Sequence, residues 1–369
     1  MLTLKIPHPY KSKIKYLYFN FFSKFHKSFS ARENSVLLIE FNSFHGETLP
    51  GYIKYLLDLG YNIDVVLQRS KNTTKGDRND QGLFSCFSKN NKVKIIFLSR
   101  YDMHSLLHSQ VMSDFRHIII NTFNDKIERE YFFGLPQLKL VCVIHNPDII
   151  DIYFETHKMI SLVKMVSASK NSPPVVNPHY FGEFKKKSRK NDESNKTIFA
   201  ALNSNDLSQR NFNLLFHACD ILYKKGIYNF TVKAIGKGIH IPERYSYNIQ
   251  DFGFLDFQQM YSEIDTADFF LALIDQKSVH YTNKASGSYQ ISYGFLKPLI
   301  LHRQFSDIVG INNKNSVLHN DNFDLADAME KCINMPNNDY CQMLDALENS
   351  ERELYDRSLN NLREVLREF

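Results

Sequence analysis

Short apolar runs recur along this chain, each followed by a polar loop and then a longer amphipathic stretch, and this alternation is what most constrains the fold. A run such as Val36-Leu37-Leu38-Ile39 has no polar face. It must be covered on both sides, which is the condition of a strand inside a parallel sheet with helices on both faces. Thr48 can cap a helix through Gly51, Tyr52, Leu56 and Leu57, and Gly60 stops it. Residues 62–67 supply the next strand, closing one βαβ unit. Further strands are expected at 93–98, 117–121, 138–144 and 162–166.

The pattern breaks and then starts again. Pro173-Pro174, Asn177-Pro178 and the charged run Lys185-Lys186-Lys187-Ser188-Arg189-Lys190 do not fit inside a sheet and read as a linker. Beyond it, strands are expected at 197–202, 230–235, 249–252, 269–274 and 298–301. Between them lie a periodic helix over 211–225, a helix capped by Asp256 with Gln259 three residues on, and a helix over 288–295. Residues 337–369 read as helical, charged and amphipathic. The fold class is therefore α/β with two Rossmann-like domains. A chain of 369 residues with 43% hydrophobic content is long enough for two such cores.

Composition excludes several other classes. A net charge of +5 is too mild for a nucleic-acid coat, and the basic residues follow no binding motif, so no nucleic-acid partner is expected. Cys86, Cys142, Cys219, Cys332 and Cys341 form no CxxC pair, which leaves neither a disulfide framework nor a zinc site. The apolar run at 138–144 is far short of the roughly 20 residues a spanning helix needs. Lysines interrupt the aromatic N-terminus, so it does not read as a signal peptide, and a cytoplasmic location is expected. That arm, residues 1–34, combines Lys13, Lys15, Lys24 with Tyr16, Tyr18, Phe19, Phe21, Phe22 and Phe25. It suits either an anionic membrane surface, making the protein peripheral on the inner face, or packing on its own domain.

Four segments in order carry a family resemblance: AALNSNDLSQRNFNLLFHACDIL, AIGKG, DFGFLDFQQMYSEIDTADFFLALID and ASGSYQISYGFLKPLI. Together they resemble the C-terminal domain of GT-B glycosyltransferases, in particular the family-4-like enzymes of bacterial surface polysaccharide synthesis (capsule or O-antigen). NSFHGETLPGYIKYLLDLGYNIDVVL and VCVIHNPD fit the first domain more loosely. The resemblance spans roughly residues 35–335. It implies two domains facing a central cleft: an acceptor domain at 35–180, a linker at 181–195, a nucleotide-sugar domain at 196–340, and a helical segment at 341–369 able to cross back.

The resemblance also implies a function: a hexosyltransferase moving a sugar from a UDP- or GDP-linked donor to a polysaccharide or lipid-linked oligosaccharide. Donor binding is expected from Arg210, Gly236, Gly238, Lys284, Ser286, Gly287, Ser288 and Gln290. The small residues before a helix let a diphosphate reach free backbone N–H groups, and a fixed guanidinium stabilises a leaving diphosphate. His145, Glu47 and Asp275 are candidate catalytic residues, with His45 and Gly46 beside the acceptor. His145 either serves the transferred sugar or only ends its strand; Asp275 either contacts donor or caps a turn. The family's pair of glutamates eight positions apart is missing: no Glu stands between Glu263 and Glu330, and Gln290 lies near the place of the second. No Asp-x-Asp occurs, so no cofactor or metal is expected, with Arg210 and the helix N-terminus supplying positive charge. Two other readings remain open: a nucleotide-sugar epimerase, and an inactive GT-B subunit that binds sugar nucleotide or scaffolds a partner.

Overall fold

The computed structural model of the protein describes residues 30–42, 45–68, 82–127, 140–153, 157–165, 171–187, 189, 196–203, 210–275, 277, 286–307, 310–321 and 324–367. The proposed N-terminal arm falls outside them except for residues 30–34, and so does Lys284.

The first half is built from β1 (Ser35–Glu40), α1 (Leu49–Asp58), β2 (Asn62–Gln68), β3 (Val93–Leu98), α2 (Arg100–Leu107), β4 (His117–Ile120), α3 (Asp125–Ile127), β5 (Leu140–Ile144), α4 (Ile150–Tyr153) and β6 (Lys158–Ser161). The second half follows with β7 (Thr197–Leu202), α5 (Phe212–Lys224), β8 (Phe230–Ile235), β9 (Ile249–Gly253), α6 (Phe257–Asp265), β10 (Phe269–Leu271), α7 (Gly287–Phe295), β11 (Leu299–His302), β12 (Val317–His319), α8 (Leu325–Ile333) and α9 (Asn337–Arg367). Two six-stranded sheets result, ordered β3-β2-β1-β4-β5-β6 and β12-β11-β10-β7-β8-β9. Their strand pairs are parallel.

Both sheets thus have the same doubly wound order, and each reverses direction beside its first strand: between β1 and β4, and between β7 and β10. Crevices at the carboxyl ends of strands open at such switch points. Burial follows position in the sheet. Central β1 is buried at every residue, whereas edge strand β3 is only partly covered. The apolar runs that most resembled buried strands are those with neighbours on both sides.

Two expectations need correction. The strand at 162–166 lies earlier, at Lys158–Ser161. Ser161 bridges to Val175, and its N–H donates to Pro174 O at 3.0 Å, so the returning chain takes over the strand's end and Leu162 leaves the sheet. Thr48 stands at the N-terminus of α1 but makes no side-chain cap. A 3₁₀ turn at Gly46–Thr48 precedes α1, and the Thr48 hydroxyl faces back to His45 O at 2.8 Å instead. Strand β12 and helix α8 add a layer that the periodicity did not reveal.

The apolar core runs continuously from the first sheet into the second. One buried cluster joins Val36, Leu56 and Ile119 to Phe270, Phe295 and Leu299, and to Leu347, Leu354 and Leu362 of α9. A second cluster fills the other face of the second sheet with Phe199, Leu222, Phe230 and Met329, and there α9 begins with Tyr340 and Leu344. Helix α9 therefore starts on one domain and ends on the other. Its Ser358 Oγ accepts from Asn177 N–H at 3.0 Å, Asn361 donates to Val175 O at 2.8 Å, and Tyr355 packs its ring 4.9 Å from Tyr55. Close backbone contact adds to this seam: a Cβ on Gly294 of α7 would stand 2.1 Å from His179 O. Among the described residues no helix is long and apolar enough to cross a membrane.

Candidate active site

The carboxyl ends of β1, β4 and β5 carry a dense polar cluster. Glu40 is the last residue of β1 and is fully buried. Its Oε1 accepts from Asn42 N–H at 2.6 Å, and its Oε2 accepts from Asn121 Nδ2 at 2.6 Å and Thr122 Oγ at 2.7 Å. Burial pushes the Glu40 carboxyl up to about 6 against the lowering effect of these hydrogen bonds and of His45.

His45, Gly46 and Glu47 follow on the loop. His45 has φ 67°, a left-handed conformation that costs a residue with a Cβ about 1 kcal/mol or more. Its carbonyl is held by Asn121 Nδ2 at 2.9 Å and Thr48 N–H at 3.3 Å, which keeps the strained turn in place. The His45 ring lies 4.4 Å from the His145 ring, and its Nδ1 is 3.5 Å from Glu47 Oε1. Burial raises the Glu47 carboxyl, but the hydrogen bond and charge of His45, with the charge of His145, outweigh it and leave Glu47 below its ordinary value. Glu47 is therefore ionised at neutral pH, while its side chain stays 40% exposed. His145 Nε2 lies 2.7 Å from Asn121 O. A carbonyl only accepts, so a neutral His145 carries its proton on Nε2 and its lone pair on Nδ1.

The second domain supplies a different kind of half-site. Ser286 caps α7 by accepting from Ser288 N–H at 3.4 Å. Arg210 Nη2 donates to Ser286 Oγ at 2.9 Å and Ser288 Oγ at 3.3 Å, so a guanidinium lies against a helix N-terminus. Both are positive, and an anion placed there is attracted by both. Gly287 is open: nothing lies within 4 Å of where its Cβ would be. Gln290, one turn on, is buried, and its Oε1 has no hydrogen-bond partner among the described residues.

Beside Arg210 is a cavity of about 560 Å³, whose lining includes Asn203, Phe212, Phe216, Gly238, His240 and Asp275. It sits at the carboxyl ends of β7, β8 and β10, at the switch point. Asp275 accepts from Asn211 Nδ2 at 2.7 Å and from Lys277 N–H at 2.9 Å, fixing the turn after β10. Gly236 does not line the cavity. Its close approach is to Asn203, whose carbonyl would be 2.7 Å from an added Cβ.

The structure thus gathers His45, Gly46, Glu47 and His145 in one place, and Arg210, Ser286, Gly287 and Ser288 in another. Asp275 and Gly238 line the adjoining cavity. Across the cleft, the Glu47 charge acts on Tyr261 of α6, whose hydroxyl burial and that charge push well above its ordinary value. Sequence reasoning missed Glu40, Asn121 and Asn211. Glu40 had one signal: a carboxylate closing the apolar run Val36-Leu37-Leu38-Ile39.

No protein-family model matches the sequence, and no curated protein is detectably similar to it. Solved structures are similar in fold. A TarM mutant from S. aureus, in complex with fondaparinux, α-GlcNAc-glycerol and UDP, superposes with a TM-score of 0.64 at 9% identity, covering 90% of this chain and 99% of that one. An α-glucosyltransferase in complex with UDP and DNA gives 0.52 at 10% identity, over 88% and 94%. A UDP-forming α,α-trehalose-phosphate synthase from Burkholderia vietnamiensis gives 0.50 at 8% identity, over 90% and 100%. With its two doubly wound sheets facing one cleft, the chain has the fold of the GT-B glycosyltransferases.

Proposed function

We propose that the protein is a glycosyltransferase that takes a sugar, of hexosyl type, from a nucleotide diphosphate donor. The observation that carries this is Arg210 seated on Ser286 and Ser288 at the N-terminus of α7, beside a cavity at the switch point of the second sheet. The donor diphosphate lies against this guanidinium and helix end, and the nucleoside enters the cavity. Arg210 then stabilises the charge that builds on the leaving diphosphate as the glycosidic bond breaks. That charge is met by protein groups, so the reaction proceeds without a divalent metal.

The acceptor approaches from the first domain, where Glu47 is ionised and able to accept a hydroxyl proton, and where the His145 ring lies beside the His45 ring to orient the sugar or acceptor. The acceptor is a glycan or lipid-linked oligosaccharide of surface polysaccharide synthesis, met at the inner face of the membrane. Support for the donor comes from the fold shared with proteins solved with UDP.

Purified protein incubated with UDP- and GDP-sugars, with and without an acceptor pool of lipid-linked oligosaccharides, tests this by nucleotide release. Acceptor-stimulated release that is lost in Arg210→Ala supports the proposal. Nucleotide binding without release across donors and acceptors favours the inactive subunit. Epimerised sugar with free nucleotide and no acceptor favours the epimerase.

A further inference from the structure

We propose that Glu40 is a positioning residue of the first half-site, setting the orientation of His45 and, through it, Glu47 by way of Asn121 without touching substrate. This rests on the glycosyltransferase proposal. Glu40 is fully buried at the end of a central strand, at the switch point of the first sheet. Donors from Asn42, Asn121 and Thr122 converge on its two oxygens. Only an ionised carboxylate accepts on both; a protonated carboxyl or an amide loses one acceptor and turns a donor toward a donor.

What Glu40 holds is the hub of the half-site. Asn121 spends both hydrogens of its amide nitrogen, one on Glu40 Oε2 and one on the carbonyl of His45. That fixes the amide's orientation and presents Asn121 Oδ1 to the Thr48 hydroxyl at 2.9 Å. The same residue's backbone carbonyl faces His145 Nε2, a contact that belongs to the backbone and not to the amide that Glu40 orients. One buried carboxylate therefore reaches the strained His45 turn and, through His45, Glu47. A strained backbone held by a buried ionisable group is a combination found where geometry serves chemistry. Of the groups described around Glu40, His45 is the one that titrates and acts on it; Asn42, Asn121 and Thr122 are neutral. Its elevated value means that the network loses its carboxylate as pH falls through about 6.

The test compares wild type, Glu40→Gln and Thr122→Val by donor turnover against pH, by UDP affinity, and by nitrogen-15 NMR of labelled histidines. In Glu40→Gln, kcat falls between about 10- and 100-fold. UDP affinity stays within twofold, because the nucleotide lies in the other domain, and the acid limb near pH 6 flattens. The His45 ring signals shift as its turn relaxes, while His145, held by a backbone carbonyl, keeps its Nε2–H tautomer. Thr122→Val keeps the carboxylate but removes one donor that lowers it, so the limb moves to higher pH. Wild-type kcat and pH profile in Glu40→Gln, or an unmoved limb in Thr122→Val, overturns the inference. If wild type binds no nucleotide, the glycosyltransferase proposal fails, and the histidine spectra alone decide whether Glu40 holds the His45 turn: unshifted His45 signals in Glu40→Gln overturn it.

Discussion

The two half-sites are built on the same sheet order yet differ in how their charges are held. In the first domain, Glu40, Asn121, Thr48, His45 and His145 form a network in which hydrogen bonds within the protein engage the polar atoms one after another. In the second, Arg210 faces the hydroxyls of a helix cap, Gly287 is open, and a cavity adjoins. The first carries a burial cost at Glu40; the second is positive and open at Gly287. A network of that kind orients groups that do chemistry, whereas an open positive end is suited to receive an anion from outside. On the proposed function, the donor phosphates fall to the second domain and the proton handling to the first.

The strongest way to break this assignment is to place a negative charge where the phosphates go. A Cβ on Gly287 meets nothing, so Gly287→Asp fits and, in the first turn of α7, interacts favourably with the helix dipole. UDP affinity should fall about 100-fold through like-charge repulsion while the melting temperature holds or rises. Calorimetry and a thermal melt on the same sample check both halves of that statement.

A second prediction concerns only the first half-site. The Glu40 carboxyl stands at about 6 in the folded protein against an ordinary 4.5, so folding favours its protonated form. Its contribution to stability is complete below pH 4.5 and is lost as pH rises through about 6, a change of roughly 2 kcal/mol. Glu40→Gln removes this dependence. Denaturant unfolding at pH 4.5 and pH 7 should therefore show wild type losing about 2 kcal/mol relative to Glu40→Gln over that interval. Parallel pH curves for the two proteins would mean that Glu40 is not held as described.

The smallest effect sharpens the second half-site. Ser286→Ala removes the cap of α7 and one acceptor for Arg210, which should cost about 1 kcal/mol of stability. A severalfold weaker UDP affinity is expected alongside, measured by the same calorimetry.

Much of the fold was legible because parallel strands buried on both faces leave unmistakable apolar runs. Strands 93–98, 197–202 and 230–235 fall where the sequence placed them. Asp256 also caps α6 as its spacing to Gln259 suggests, accepting from Gln259 N–H at 2.8 Å. Strand β6 was misplaced because its end is decided by Val175, which returns to Ser161 from farther along the chain. Thr48 has the composition of a cap, but its hydroxyl is shared between His45 O and Asn121 Oδ1. The second half-site was legible only through the ordered segments resembling GT-B enzymes, since Arg210 meets Ser286 across 76 positions. Glu40 escaped notice because its partners Asn121 and Thr122 lie 81 and 82 positions away, and its place at the close of an apolar run was the one local sign of it.

The central claim is that the anion site at Arg210 and α7 receives a nucleotide diphosphate. Isothermal titration of UDP and GDP into wild type and Arg210→Ala, with and without magnesium, tests it most directly. Wild type should bind at least one nucleotide saturably, with or without magnesium. In Arg210→Ala that binding should weaken by about 2–3 kcal/mol, the worth of a charge-assisted contact to phosphate. Absence of nucleotide binding by folded wild type, or binding that survives Arg210→Ala unchanged, would contradict it.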